Sequence, residues 1–166
     1  MLEFAYKLSK DVYTSDLKNV SSGSYVANSD LNTYYASPLA TKDVYDILKK
    51  YKDINTKAVI HCYSSSLEMA YEFIKMNIKL GIGGVLTFKN AHKLKDIVEE
   101  LSLNNFLLET DSPYLTPEPH RGEKNEPCNV IYVAKKIAEL KNLPLDEVLE
   151  VTTSNAICQF DLKLDL

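Results

Sequence analysis

The residue types that carry chemistry gather in one stretch, Glu109-Thr110-Asp111-Ser112-Pro113-Tyr114-Leu115, which runs on through His120-Arg121-Gly122 to Asn125-Glu126-Pro127. A short apolar run ending at Leu108 stops abruptly at two acidic residues. Side chains alternate along a regular strand, so Glu109 and Asp111 share one side of it. A carboxylate at the C-terminal end of a buried strand is where α/β enzymes place catalytic acids and metal ligands. The plainer alternative for Asp111 is a cap on the Ser-Pro turn that follows. Glu109, directed inward, needs a buried partner and reads as support for the site. Arg121 is the sole arginine; every other basic residue is lysine. Its planar fork could clamp a phosphate bidentately, as lysine cannot, or pair with Glu118, Glu123 or Glu126 on a solvated loop. Asn125 either ties this loop together or touches a ligand. His61 ends a second apolar run, Ala58 to Tyr63, where a neutral imidazole could ligate a divalent metal or simply be hydrogen-bonded at a strand end.

These groups need elements to position them. Val44, Ile47, Leu48 and Tyr51 form a helical stripe, and Ala58 to Tyr63 reads as a buried strand. Ser64-Ser65-Ser66 offers caps for a helix with the stripe Leu67, Ala70, Tyr71 and Ile74. Lys79 to Phe88 reads as a second buried strand; its Gly81, Gly83 and Gly84 point to close packing, since the spacing is wrong for a nucleotide-binding fingerprint. Leu94, Ile97, Val98 and Leu101 predict another helix, with His92 at its start as a surface residue or cap. Phe106 to Leu108 is a third strand, and Val130, Val133, Ala134 and Ile137 give a further helix. Pro144 opens a short helix through Val151, and Thr153 is placed to cap a last one toward Phe160. Repeated strand–helix alternation implies a parallel sheet with helical crossovers. Residues 11–40, rich in Ser, Asn, Asp and Tyr, break this rhythm and form an irregular segment.

At 166 residues the chain suits a single domain, 1–166, with a sizeable core. A net charge of -4 argues against a broad basic face for nucleic acid but allows an enzyme that meets a phosphodiester locally. Cys62, Cys128 and Cys158 are odd in number and widely spaced. They read as three small hydrophobes in a reducing, cytoplasmic compartment. No apolar run is long enough for a membrane span, and no membrane partner is expected. Lys49-Lys50 and Lys135-Lys136 read as solubilising pairs.

Taken together, these pieces resemble the TatD family of metal-dependent deoxyribonucleases, among the amidohydrolase-like (β/α)8 barrels. The resemblance rests on Val59-Ile60-His61-Cys62-Tyr63-Ser64-Ser65-Ser66, Gly81-Ile82-Gly83-Gly84 and Leu107-Leu108-Glu109-Thr110-Asp111-Ser112-Pro113-Tyr114-Leu115. Pro119-His120-Arg121-Gly122, Asn125-Glu126-Pro127, Thr152, Asn155 and Ala156 extend it to about Thr41–Leu162. It implies an α/β fold, a parallel-sheet (β/α) barrel of TIM type cut down to roughly strands six to eight with their helices, plus a divergent N-terminal segment. It implies one or two divalent cations (Mg2+, Mn2+ or Zn2+) held by His61 and Asp111, with Asp111 also taking a proton from the attacking water. His120, Arg121 and Asn125 would contact the substrate, DNA or another phosphoester. The chain departs from the family in lacking an initial His-x-His pair, a bridging glutamate on a middle strand, and the histidine of a His-Ser-Arg-Asp segment. Two functions follow. One is a metal-dependent hydrolase cleaving DNA phosphodiesters. The other is a non-catalytic half-barrel that binds, scaffolds or needs a complementing partner. Open sheet edges would favour a homo-oligomer in the second case.

Overall fold

A computed structural model of the chain describes residues 41–50 and 57–162; the irregular segment 11–40 lies outside them. Helix α1 (Thr41–Lys50) precedes strand β1 (Val59–Ile60), then α2 (Leu67–Lys75), β2 (Lys79–Ile82), α3 (His92–Glu100), β3 (Phe106–Leu108), α4 (Val130–Lys141) and α5 (Leu145–Phe160). The strands form one parallel sheet in the order β1-β2-β3. Val59 sits opposite Lys79, and Leu80, Gly81 and Ile82 sit opposite Phe106, Leu107 and Leu108. Pairing runs past the strand ends, where Tyr63 N–H donates to Gly81 O at 2.9 Å and Glu109 N–H to Ile82 O at 3.1 Å. Parallel neighbours need long crossovers, and α2 and α3 supply them.

Phe73, Leu80, Ile82, Leu86, Ile97, Phe106, Ile137 and Val148 are buried at the centre of one apolar cluster. The face of α2 is turned from the expected stripe. Phe73, not Tyr71, is the aromatic that enters the core, lying edge-on to Tyr45 and Tyr63 at centroid distances of 6.0 and 6.4 Å. Edge-to-face packing rewards burying an apolar ring, whereas the Tyr71 hydroxyl finds Glu100 at the surface, 3.0 Å away. Ser66 does cap this helix, its Oγ accepting from Met69 N–H at 3.4 Å.

Three expected segment boundaries move. The strand expected over Ala58 to Tyr63 covers only Val59–Ile60, with His61 and Cys62 in a turn beyond it. The strand expected over Lys79 to Phe88 stops at Ile82, and Gly84–Thr87 winds into a 3-10 turn closed by the Thr87 hydroxyl on Gly84 O at 2.7 Å. Here the backbone bends under the loop after β3: a Cβ added at Gly84 would lie 2.4 Å from Leu115 O. The two helices expected after Pro144 are one, α5, because nothing interrupts the chain at Val151–Thr153 and the buried Thr152 hydroxyl turns back to Val148 O at 2.7 Å.

Helix α5 also ties the base of the sheet. Asn155 Nδ2 donates to Leu103 O and Phe106 O at 2.8 and 2.9 Å, and Gln159 Nε2 donates to Ala58 O at 3.1 Å. Lys141 caps the end of α3 by donating to the carbonyls of Val98, Glu99 and Leu101. The opposite rim, where the strands end, is left to the polar residues. Among the described residues no helix is long and apolar enough to cross a membrane.

Candidate metal centre

Three strand ends build the centre. His61 and Cys62 follow β1, Glu109 and Asp111 follow β3, and Gly81 lies on β2 between them. His61 Nδ1 lies 2.8 Å from Glu109 Oε2, and its Nε2 lies 3.0 Å from Asp111 Oδ1. The side chains of His61, Glu109 and Asp111 are only 20%, 16% and 17% exposed, so the ring is clamped between two carboxylates in a partly dry setting. Cys62 N–H donates to Glu109 Oε1, and Cys62 Sγ donates to Asp111 Oδ2 at 2.8 Å. Cys62 stands in the left-handed region (φ +49°), uncommon for a residue other than glycine.

Burial and hydrogen bonding govern the protonation of this cluster. Burial opposes a charged His61 ring, but its hydrogen bonds with Asp111, then Cys62 and Glu109, outweigh it and raise its pKa from 6.5 to about 12. The His61 hydrogen bond holds the Asp111 carboxyl below its ordinary range, against the opposing effect of burial. Burial pushes the Cys62 thiol up to about 11. The centre is thus an imidazole held between two carboxyl groups beside a thiol.

Gly81 explains how Glu109 fits. A Cβ built there would lie 2.2 Å from Glu109 Oε2 and 2.6 Å from its Cδ. The sequence suggested backbone packing for this glycine; what approaches so closely is the carboxylate of Glu109.

The loop beyond β3 is folded on itself. Tyr114 N–H donates to Asp111 O at 2.7 Å, and Thr116 Oγ1 donates to Glu123 O at 2.6 Å. Asn125 is buried; its Nδ2 donates to Tyr114 O at 2.7 Å, its N–H to Pro113 O at 3.1 Å, and its Oδ1 accepts from Asn129 at 3.1 Å. These bonds tie the loop together. Among the described contacts Arg121 makes no ion pair with Glu118, Glu123 or Glu126. Its guanidinium stacks 4.0 Å over the Phe88 ring and donates from Nη1 to Thr116 O at 3.2 Å. His120 pairs instead, with Glu123 at 3.2 Å and with the Tyr132 hydroxyl at 2.9 Å.

The structure thus brings His61 and Asp111 together and sets His120, Arg121 and Asn125 in the adjoining loop. Reading the sequence missed Cys62, taken as a small hydrophobe; it contacts the cluster, and Cys128 and Cys158 are exposed rather than buried. Its position next to a strand-end histidine was the available signal. His92 is an exposed first residue of α3.

A parallel β/α layer with an imidazole–carboxylate cluster at its C-terminal rim is the architecture that the fold and centre define. The family model described as "TatD related DNase" matches residues 35–161. The chain belongs to this TatD family. It is 48% identical over 117 residues to the uncharacterized metal-dependent hydrolase YabD of Bacillus subtilis (strain 168), covering 70% of this chain and 46% of that protein. It is 39% identical over 117 residues to the uncharacterized metal-dependent hydrolase TatD of Mycobacterium tuberculosis, covering 70% and 44%. Among solved structures, YJJV, a TatD homologue from Escherichia coli K12, matches with a TM-score of 0.72 at 27% identity, over 79% of this chain and 50% of that one. The chain spans about half the length of the relatives it matches or less.

Proposed function

We propose that this chain carries part of a divalent-metal centre for phosphodiester hydrolysis, with DNA as the substrate class and His61 and Asp111 as ligands. The observation that supports this reading is the meeting of His61 Nε2 and Asp111 Oδ1 at 3.0 Å, from the ends of two strands of one parallel sheet. The donor chemistry fits such an ion: one imidazole and hard carboxylate oxygens suit Mg2+, Mn2+ or Zn2+. His61, Cys62 and Glu109 also offer donor atoms within 4.8 Å of one another. Both carboxylates are engaged, Glu109 by His61 Nδ1 and the Cys62 N–H and Asp111 by His61 Nε2 and the Cys62 thiol; we favour Asp111 as the ligand because its other partner is a side-chain thiol that can turn away, whereas Glu109 is held by a backbone N–H.

A cation held there supplies a more acidic water and a polarised phosphoryl oxygen. The rest falls to the chain. Asp111, ionised at neutral pH, is the group that accepts a proton from the attacking water. Arg121 is exposed, and its fork has N–H groups beyond the one on Thr116 O to meet phosphate oxygens. His120 and Asn125 shape the loop that presents it.

The coverage of about half of each relative supports equating the three strands with roughly strands six to eight of a TatD-type barrel. Further ligands then come from another chain that meets the edges of the described sheet at β1 or β3. Three free cysteines support a cytoplasmic setting. The test uses the 166-residue chain with Mn2+ or Zn2+, measuring bound metal per chain and cleavage of single-stranded and duplex DNA. Metal uptake that His61→Ala and Asp111→Ala each abolish is expected. A well-folded chain that takes up no metal and cleaves no DNA rules the proposal out.

A further inference from the structure

Glu109 does more than fill a slot. Its two carboxylate oxygens each face a different donor: Oε2 faces His61 Nδ1 at 2.8 Å, and Oε1 faces the Cys62 N–H. The carboxylate rests where any side chain on Gly81 would be, with 2.2 Å from Oε2 to a Cβ built there, so β2 has been cleared of atoms at that point. The backbone that Glu109 grips is the left-handed Cys62, directly after the histidine. An unfavourable backbone conformation persists only where its surroundings over-determine it.

Resting on the metal-centre reading above, we propose that Glu109 is a positioning residue: it holds His61 by Nδ1 and by the next peptide, so that Nε2 is the nitrogen aimed at Asp111. An imidazole that ligates through one nitrogen while donating its other N–H to a carboxylate has its ring plane and tautomer fixed by that second bond. Here both controls come from one side chain.

The chemistry makes Glu109→Gln an informative change. It keeps the volume, yet an amide has one acceptor oxygen and one donor NH2, whereas the site presents two N–H donors. The Cys62 N–H is fixed by the backbone, so it keeps the amide oxygen, and the amide NH2 then opposes His61 Nδ1. The ring relieves that clash of donors by placing its proton on Nε2, the nitrogen that should ligate.

The experiment uses the full chain and two readouts. Zn2+ affinity is measured by competition with a chromogenic chelator, and the His61 ring is followed by long-range proton–nitrogen NMR, with circular dichroism reporting the fold. Wild type is expected to show a hydrogen-bonded Nδ1–H proton both with and without Zn2+. Glu109→Gln is expected to lose that proton signal and to bind Zn2+ about 10- to 100-fold more weakly with the fold intact. Gly81→Ala, which dislodges the same carboxylate without altering it, should reproduce both effects. Wild-type affinity and an unchanged Nδ1–H signal in Glu109→Gln overturn the inference and leave the proposed function standing. A Glu109-dependent Nδ1–H in a wild-type chain that takes up no Zn2+ supports the orientation and overturns the metal function.

Discussion

Gly81→Ala together with Glu109→Ala offers a sharp test of how the centre is built. The alanine methyl at 81 would meet the Glu109 carboxylate at 2.2, 2.6 and 2.8 Å, so the carboxylate has to retreat by about an ångström to reach ordinary contact. That retreat breaks its bonds to His61 Nδ1 and the Cys62 N–H. Hydrogen bonds to a charged group contribute about 1.5–3 kcal/mol each. Against this, replacing glycine by alanine in an extended strand stabilises by about 0.4–1 kcal/mol through the unfolded chain. The single substitution should therefore cost about 2–5 kcal/mol, read as a lower midpoint in urea denaturation of the metal-free chain. In a Glu109→Ala background the obstruction is gone, and the same change should be neutral or stabilising by up to about 1 kcal/mol. The coupling expected between the two sites is about 2–6 kcal/mol, where independent sites add to within about 0.5 kcal/mol. Additive effects would refute the idea that Gly81 exists to seat this carboxylate.

Two further outcomes follow from the geometry. The His61 pKa is raised from 6.5 to about 12 in the folded state, so its contribution to stability is fully present below about pH 6.5 and declines as pH rises toward 12. Urea midpoints of the metal-free chain should fall across that interval, and His61→Gln should flatten the fall; an equal slope in both proteins would contradict the clamp. At the base of the sheet, Asn155→Leu removes two bonds to Leu103 O and Phe106 O and leaves buried carbonyls unpaired, at about 1–3 kcal/mol each. A lower melting temperature with faster amide exchange along β3 is expected, and an unchanged melting temperature would show that water replaces the amide.

Much of the layout is legible in the chain because periodicity alone encodes it. Leu94, Ile97 and Val98, and Val133, Ala134 and Ile137, point inward as their spacing requires. The pairing of an imidazole at one strand end with a carboxylate at another was legible through the family motifs. What stayed hidden depends on contacts between distant segments. The spacing of Phe73 and Tyr71 cannot tell which ring enters the core, since that depends on Tyr45 and Tyr63. The Gly83-Gly84 pair is a local turn signal, but the apolar residues around it favour a strand, and the close approach of Leu115 O to Gly84 across the rim cannot be read from spacing. Arg121 gave no sign of Phe88, more than thirty positions earlier. Glu109 was read as support without its partners, and Cys62 was passed over because an isolated cysteine in a strand usually only packs.

The final helix sets more than the base of the sheet. Asn155 and Gln159 are one helical turn apart, and they grasp the chain where β3 and β1 begin. That pitch acts as a ruler for the splay of the two outer strands, whose far tips carry Asp111 and His61. Shortening the last turn of α5 would remove the Gln159 anchor and free the start of β1, so the donor pair at the opposite end of the molecule would lose one of the ties that sets its spacing.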